Sequence, residues 1–458
     1  MQQIVGIVNN FPAAQTTTGG GEEEVPEVGV CAGEGQNSVV WGAAFGNLAY
    51  CCGPNSAKQL GIGKQTSSVG RWVQINVQKP VRQVSAGSHH SLLCTTDGTC
   101  YSCGRGDGGQ LGLGEKVKTV NQFQAVPFLE NVRTVGVASS ARRFENQSAS
   151  YVLDAFGQVF AFGNNNFMKL GIGDQDPPSH AWTPAPLATN ERFSKISAGK
   201  HHVLAIDLAG TRVFSWGAGD MGRLGLSDKK HRGVPTVVHA LQQEARNVIF
   251  DQVIARETFS LAFSSTANAA YSWGFGTRGQ LGRGNNGLRC DPAGPGKVVW
   301  CLETHHVSHL VANDDAVVAV RKNSRDHLVW GKLELGTLSA GDLEPKLQVQ
   351  FAAEPTVLAF DLCGTHAVVA TDKEVATSEL VDTTILPKAD NGQEGGGDVL
   401  SAAAATLGAA AAEEEPSLKK QRLDDEEEQP HQLVDTSLVV PPPPPPPPPA
   451  AEDPAPLP

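Results

Sequence analysis

A motif that ends in Leu-Gly recurs through most of this 458-residue chain, and its spacing limits the folds available. The leucine of this landmark falls at six places: Leu60, Leu111, Leu170, Leu224, Leu281 and Leu335. Successive landmarks are 51 to 59 residues apart. Each copy holds short apolar runs separated by Asp-Gly or Ala-Gly turns, a pattern typical of neighbouring strands in a β-meander. A period of this size indicates a repeat fold with one supersecondary unit per copy.

The copies predict an all-β fold, a seven-bladed β-propeller, because six full copies are followed by a half copy at residues 362–376. The half copy lacks the outer strand pair and the Leu-Gly landmark, and an open ring would expose an unpaired sheet edge. The strand-like segment 3–8 (QIVGIV) precedes the first copy, so we expect it to close the last blade. We therefore assign residues 1–387 to the propeller.

Residues 388–458 have a different composition and form a separate tail. They contain 14 Asp or Glu against 4 Lys or Arg, so they carry most of the chain's net charge of −12. An acidic segment rich in Ala and Pro cannot bury a core, and we predict that it is disordered. The rest of the chain is nearly neutral and lacks the basic footprint of nucleic-acid binding, so we expect no direct nucleic-acid partner.

Two short elements of the tail have recognisable compositions. Lys419, Lys420 and Arg422 resemble a short nuclear localisation signal, which predicts a nuclear protein. Nine prolines from Pro441 to Pro449 favour a polyproline II helix, which suits the aromatic grooves of profilin, SH3, WW or EVH1 domains. The alternative for the proline run is a stiff, solvated spacer.

Composition also bears on the cellular compartment. No run approaches the roughly 18 consecutive apolar residues that suggest a membrane span. The first Lys or Arg is Lys58, so the start of the chain lacks the basic region of a signal peptide. The nine cysteines are an odd number in a large chain, which we interpret as reduced thiols. We therefore expect an intracellular protein with no membrane partner.

The repeat also has a recognisable consensus. Its best copies, at residues 85–114, 197–226 and 271–284, share elements of Ser-Ala-Gly, then His, then Tyr-Ser-Trp-Gly, then Gly-Gln-Leu-Gly. This pattern resembles the regulator of chromosome condensation repeat over roughly residues 29–379. The resemblance implies a seven-bladed propeller used mainly to bind proteins. It also implies a candidate activity, because the family's founding member is the nucleotide exchange factor for the small GTPase Ran.

The exchange-factor activity depends on loops that this chain does not reproduce well. In the Ran exchange factor, acidic residues just after the Ala-Gly landmark face the GTPase. The corresponding residues here are Ser88, Lys200 and Thr365, with acidic residues only at Glu34, Asp314 and Asp315. This departure favours a non-enzymatic protein-binding propeller, a nuclear regulator or scaffold, over an exchange factor for a Ran-like GTPase. An adaptor that uses the proline run is a further alternative.

Cys100 and Cys103 form a CxxC pair, which is a common half of a zinc site. A second half-site with matching spacing is missing, and the repeat offers another interpretation. The slot before the strand-ending glycine holds, in successive copies, Cys52, Cys103, Phe162, Trp216, Trp273 and Trp330. We therefore predict that Cys103 replaces a packed aromatic side chain, and that the chain has no metal, cofactor or catalytic site.

The recurring histidines and glycines also have structural explanations. His90 and His202 occupy one slot of the repeat, and we predict that they hydrogen-bond blade backbone near the hub. Gly104, Gly106 and Gly109 loosely resemble a phosphate-binding GxGxxG loop, but altered versions recur at residues 217–222 and 274–279. A turn that every blade needs recurs in every blade, so we assign these glycines to turns.

Binding residues are expected where the copies differ. The third copy inserts residues 140–148, which place Arg142, Arg143 and Phe144 in a loop with the Arg-plus-aromatic composition of interaction hot spots. The alternative is a tolerated surface insertion. Second-rank candidates in similar blade loops are Arg105, Asp107, Asp220, Arg223 and Arg278.

Overall fold

The computed structural model describes eleven stretches of the chain: residues 7–8, 29–33, 37–140, 147–283, 296–298, 306–321, 326–335, 338–350, 357–363, 366–371 and 385–386. Nearly all regular structure in these stretches is β-strand. The exceptions are one short α-helix and four 3-10 helices, His239–Glu244, Ala43–Phe45, Pro127–Leu129, Asn166–Met168 and Asp220–Gly222.

The first strand in the chain is β1 (Ile7–Val8), and the next twelve form three consecutive blades. Blade 1 comprises β2 (Gly29–Ala32), β3 (Ser38–Trp41), β4 (Ala49–Pro54) and β5 (Ser68–Gln74). Blade 2 comprises β6 (Val81–Ala86), β7 (His90–Thr95), β8 (Cys100–Arg105) and β9 (Thr119–Ala125). Blade 3 comprises β10 (Thr134–Ser139), β11 (Ala149–Asp154), β12 (Val159–Asn164) and β13 (His180–Pro186).

Three further blades follow in chain order, and the last blade combines distant strands. Blade 4 comprises β14 (Phe193–Ala198), β15 (His202–Asp207), β16 (Val213–Gly217) and β17 (Arg232–Val237). Blade 5 comprises β18 (Gln252–Ala255), β19 (Phe259–Ser264), β20 (Ala269–Gly274) and β21 (Gly296–Lys297). Blade 6 comprises β22 (Val307–Ala312), β23 (Ala316–Arg321), β24 (Asp326–Leu335) and β25 (Leu338–Gln350). Blade 7 pairs β1 with β26 (Val357–Cys363), β27 (His366–Thr371) and β28 (Ile385–Leu386).

The described residues thus form seven four-stranded sheets around one hub. The first strands of blades 1 to 7 contact one another in sequence, and β26 of blade 7 also contacts β2 of blade 1. Across this last junction, the Ala32 amide donates to Asp361 Oδ2 at 2.8 Å. In blade 7, β1 pairs in parallel with both β27 and β28. The predicted all-β propeller is therefore confirmed, and its ring is closed.

The hydrophobic core is divided among the spaces between neighbouring blades. One cluster joins Val39 of blade 1 to Leu93 of blade 2, and equivalent clusters join each later pair up to blades 5 and 6. Because the sheets of blades 2 to 5 are covered on both faces, their second strands are buried along their whole length, as in β15 (HVLAID).

One side-chain slot connects each blade to the preceding one. Trp216, Trp273 and Trp330 are buried there and donate their indole N–H to a carbonyl of the preceding blade, at 2.9 to 3.0 Å. Cys103 occupies the same slot in blade 2, and its thiol approaches the Gln59 carbonyl at 3.4 Å. The interpretation of Cys103 as a replacement for an aromatic side chain is therefore consistent with its position.

Candidate protein-binding site

Antiparallel pairing places two kinds of connection at opposite ends of the propeller. The connections between the first and second strands, and between the third and fourth strands, lie together at one end, which we call the loop face. The turns between second and third strands lie at the other end with the segments that join successive blades, and we call this end the turn face. Every described residue proposed as a binding residue lies on the loop face.

A cluster of charges lies on the loop face close to the hub. Lys200 of blade 4 contacts Glu257 of blade 5 at 2.8 Å and Asp314 of blade 6 at 2.6 Å. The Glu257 amide also donates to Asp314 Oδ1 at 3.0 Å. The Lys200 side chain is mostly buried, whereas the side chains of Glu257 and Asp314 are partly exposed. The cluster therefore links three blades and compensates the acidic character of this part of the face.

Glu257 is a loop residue that the repeat pattern did not indicate. In blades 2, 4, 5 and 6 the first connection contains the same backbone bond, in which the residue just after the first strand donates to the start of the second. This bond aligns Glu257 with Lys200, Ser88 and Asp314. The fifth copy has Arg256 at the position of the landmark glycine, which is Gly87 in the second copy and Gly199 in the fourth. Only the hydrophobic pattern of its first strand could therefore have revealed the match.

The second-rank candidates differ in how much of them a partner could reach. Arg105 and Asp107 of blade 2 form an ion pair at 2.6 Å and are partly exposed. Arg278 of blade 5 pairs with Asp315 of blade 6 at 2.7 Å and is exposed. Burial beside Asp314 raises the pKa of the Asp315 carboxyl above its usual range, against the effect of Arg278. Asp220 is exposed at the start of a 3-10 helix.

Arg223 requires a correction, because it is only 5% exposed. Its Nε donates to the Asp220 carbonyl at 2.9 Å, and burial lowers the pKa of its guanidinium. Its own carbonyl accepts from Ser260 and Trp273 of the next blade. The residue before the Leu-Gly landmark is covered by the following blade, so Arg223 joins blades and offers little surface to a partner.

The inserted loop carrying Arg142, Arg143 and Phe144 lies outside the described residues, as do Lys419, Lys420, Arg422 and the run from Pro441 to Pro449. The residues on both sides of the insertion are described and lie on the loop face. The Ser140 hydroxyl accepts from the Ala149 amide at 2.7 Å. The buried Lys169 ammonium donates to the Gln147 carbonyl.

Two apolar side chains on the loop face were missed by the sequence reasoning. Phe167 of blade 3 and Met221 of blade 4 are exposed, and their φ angles are 63° and 60°. The Phe167 ring meets the rings of His201 and His231 edge-on, with centroids 5.2 and 5.4 Å apart. Left-handed backbone costs a bulky L-residue about 1–2 kcal/mol, and such strain tends to cluster at functional sites. The sequence signal that could have identified these two residues is an aromatic residue or Met in a turn that is otherwise rich in Gly and Asn.

The buried histidines differ in one detail from the prediction. His90 Nε2 lies 3.0 Å from the Ser150 hydroxyl of the next blade, and His202 Nε2 lies 2.7 Å from Ser260. Each serine in turn donates to a backbone carbonyl of the histidine's own blade, Gln110 or Arg223. The histidines therefore reach backbone only through a serine. Because the serine proton is used, each Nε2 carries a hydrogen. Burial lowers the pKa of both rings and keeps them neutral.

The cysteines and glycines fit their structural assignments. Burial raises the pKa of the Cys100 and Cys103 thiols, which point to opposite sides of the sheet, toward blade 3 and blade 1 respectively. Gly104 has a φ of 101°, and a Cβ there would lie 2.5 Å from the His89 carbonyl oxygen. The described residues include no group of three or more His, Cys, Asp or Glu placed to hold a metal. In the same stretches, no helix is long and apolar enough to cross a membrane.

Comparison with known proteins finds the same repeat in several others. A family model described as the regulator of chromosome condensation (RCC1) repeat matches residues 97–142, 157–206, 212–251 and 268–320. A second model with this description matches residues 81–110. The matched segments lie in blades 2 to 6 and leave out strands β11, β18, β19, β24 and β25 of these blades.

Curated relatives share part of the chain. The probable E3 ubiquitin-protein ligase HERC3 of Homo sapiens is 30% identical over 245 residues, which are 53% of this chain and 22% of that protein. The ultraviolet-B receptor UVR8 of Arabidopsis thaliana is 27% identical over 214 residues, 46% of this chain and 45% of the receptor. The chain therefore spans less than half the length of either relative.

Solved structures share the fold. Human WBSCR16 aligns with 82% of this chain and 98% of its own, with a TM-score of 0.62 and 19% identity. Prp20p of Saccharomyces cerevisiae aligns with 75% of this chain and 82% of its own, with a TM-score of 0.60 and 20% identity. At these identities the likeness concerns the arrangement of blades alone.

Proposed function

This chain is a β-propeller built from regulator of chromosome condensation repeats, and from that premise we propose that it is a protein-binding regulator or scaffold whose partners contact the loop face. The observation that carries the proposal is the pair Phe167 and Met221. Both side chains are exposed on adjacent blades, and both are held in left-handed backbone that favours glycine.

The surroundings of this pair support a binding role. Partly exposed ion pairs, Arg105 with Asp107 and Arg278 with Asp315, lie on the same face and provide polar groups for a rim. The insertion with Arg142, Arg143 and Phe144 begins and ends on this face. An apolar centre with charged groups around it is the common anatomy of protein–protein interfaces.

The test compares proteins that co-purify with the tagged full chain. We expect the double variant Phe167→Ser, Met221→Ser to lose partners that the wild type retains, and the triple alanine variant of the insertion to lose an overlapping set. A Thr266→Ala variant on the turn face is the matched control. An unchanged set of partners for both loop-face variants would remove the basis for this proposal.

Nucleotide exchange on a Ran-like GTPase is the second candidate function. Yeast Prp20p, whose fold this chain shares, binds Gsp1p and histones. The loop face argues against a close parallel, because Lys200 neutralises the acidic Glu257 and Asp314. Stopped-flow release of a fluorescent nucleotide from Ran decides between the two functions. We expect no acceleration by the full chain, and acceleration would establish the exchange function instead.

We propose a nuclear location for the full chain, because Lys419, Lys420 and Arg422 resemble a short nuclear localisation signal. A fluorescent fusion of the wild type should concentrate in nuclei, and the triple alanine variant should not. Equal distribution of the two fusions would show that these three residues do not direct the protein to the nucleus.

An adaptor role for Pro441 to Pro449 remains a separate proposal. Its test is a binding titration of the full chain with a purified profilin. Deleting the nine prolines should abolish the binding, and the absence of binding by the wild type would leave the run as a spacer.

A further inference from the structure

The turn face carries an exposed apolar surface on three neighbouring elements. Phe156 lies in the turn between the second and third strands of blade 3 and is 78% exposed. Leu208 lies in the corresponding turn of blade 4 and is 61% exposed, and Ile249, in the segment that joins blades 4 and 5, is 55% exposed. These are among the most exposed large apolar side chains of the described residues.

Backbone hydrogen bonds join these elements into one continuous strip. The Phe193 amide donates to the Gly157 carbonyl at 2.8 Å, which ties the Phe156 turn to the start of blade 4. The Leu208 amide donates to the Arg192 carbonyl at 3.2 Å, and the Phe250 amide donates to the Gly210 carbonyl at 2.7 Å. We call Phe156, Arg192, Leu208 and Ile249 the turn-face strip.

The same turns in neighbouring blades are polar. In blade 2 the positions of Leu208 and Phe156 hold Thr96 and Asp97, and Asp97 pairs with Lys79 at 2.6 Å. In blade 5 they hold Ser265 and Thr266, which are exposed. The turn therefore folds with polar residues at both positions, so its geometry does not require the apolar side chains of blades 3 and 4.

The charge of Arg192 indicates the chemistry of a partner that would bind this surface. Arg192 is exposed between the Phe156 and Leu208 turns, and no carboxylate of the described residues contacts it. The adjacent Glu191 is already used, because Arg212 holds it with two bonds of 2.8 and 2.7 Å and also reaches Asp207 at 3.0 Å. Within the described chain, the Arg192 guanidinium makes one long hydrogen bond, to the Glu191 carbonyl at 3.4 Å.

Arg192, whose guanidinium has no carboxylate partner among the described residues, therefore lies in the backbone segment that contacts the turns carrying Phe156 and Leu208. Arginine binds carboxylates with two parallel hydrogen bonds, and Arg beside an aromatic is a frequent composition of interaction hot spots. We propose that the turn-face strip binds an extended segment of a protein partner, one that carries a carboxylate with an apolar side chain on each side of it. The site does not depend on the loop face, so the propeller can join two partners at its opposite ends.

The test selects a random library of 12-residue peptides on the full chain. Enriched peptides should carry Asp or Glu within three residues of Leu, Ile, Phe or Trp. A synthetic selected peptide should then bind Arg192→Glu, and the double variant Phe156→Ser, Leu208→Ser, at least about tenfold more weakly than the wild type. Thr266→Ala on the same face and Phe167→Ser on the loop face should bind it as the wild type does.

Several results would overturn this assignment. Enriched peptides without carboxylates, an absence of enriched peptides, or equal binding to Arg192→Glu and wild type would each do so. The alternative occupant of the strip is a second copy of this chain, and sedimentation of the full chain tests it. If the wild type is a dimer and the double variant Phe156→Ser, Leu208→Ser is a monomer, the strip is a dimer interface. The substituted side chains are exposed, so the variants should retain the wild-type melting temperature. If the double variant unfolds, peptide binding by Arg192→Glu alone tests the proposal.

Discussion

His90 and His202 are fully buried, and one ring nitrogen of each, Nδ1, has no hydrogen-bond partner. Burial lowers the pKa of His90 to about 3 and that of His202 well below its usual value. Both rings therefore stay neutral in the folded protein at ordinary pH. In the unfolded chain they would bind protons with the normal pKa of about 6.5.

Folding stability should therefore fall as the pH drops below about 6.5, because only the unfolded state takes up these protons in that range. From pH 7 to pH 5 each histidine should cost about 2 kcal/mol of unfolding free energy. Urea denaturation at both pH values measures this loss. The double variant His90→Gln, His202→Gln should lose less than the wild type between the two pH values. The exposed His239→Gln control should behave like the wild type, and equal losses in all three proteins would refute the prediction.

The burial of individual side chains also shows which features of the site could be predicted from the sequence and which could not. The slot before the Leu-Gly landmark holds Gln59, Gln110, Lys169, Arg223 and Gln280, all of them buried. Comparing the copies could have placed Arg223 inside, since a recurring polar residue there meets the next blade. The Lys200 cluster could not be predicted, because its contacts join residues 57 and 114 positions apart and depend on how three loops converge at the hub.

At the scale of the element, the third strand of each blade holds two blades together. The copies predicted the buried slot correctly, since aligning six copies separates a recurring position from its variable occupants. They could not predict the second function of that slot, a hydrogen bond to the preceding blade. The indole of Trp273 makes this bond to Arg223 at 2.9 Å, whereas Phe162 fills the slot without a donor.

Trp273→Phe should lower the free energy of unfolding by about 1–3 kcal/mol, because it removes a buried donor and leaves a small cavity. Urea unfolding of the full chain gives the value. Trp182→Phe is the control, since Trp182 is only half-buried on the outer strand β13, and its loss should be smaller. A loss at Trp273 no greater than that at Trp182 would mean that the slot does not connect the blades.

At the scale of the whole molecule, stability depends on a closed ring. A linear array of repeats can end in exposed units, but a propeller must join its first blade to its last. Here the contact between β2 and β26, the bond from Ala32 to Asp361, and the pairing of β1 in blade 7 perform this closure. The half copy at the end of the repeat series is therefore completed by a strand from the opposite end of the chain.

Removing residues 1–8 should destabilise the propeller by about 2–4 kcal/mol, since β1 bonds to strands on both of its sides and each lost bond costs about 1 kcal/mol. Asp361→Ala should cost less, because it removes one acceptor and leaves both strand pairings. Thermal and urea unfolding of the full chain and the two variants measure these losses. Because the blades share one ring, amide hydrogen exchange should rise in blade 1 and blade 7 together. If amide hydrogen exchange rises in blade 7 alone, β1 covers a sheet edge of that blade but does not help to close the ring.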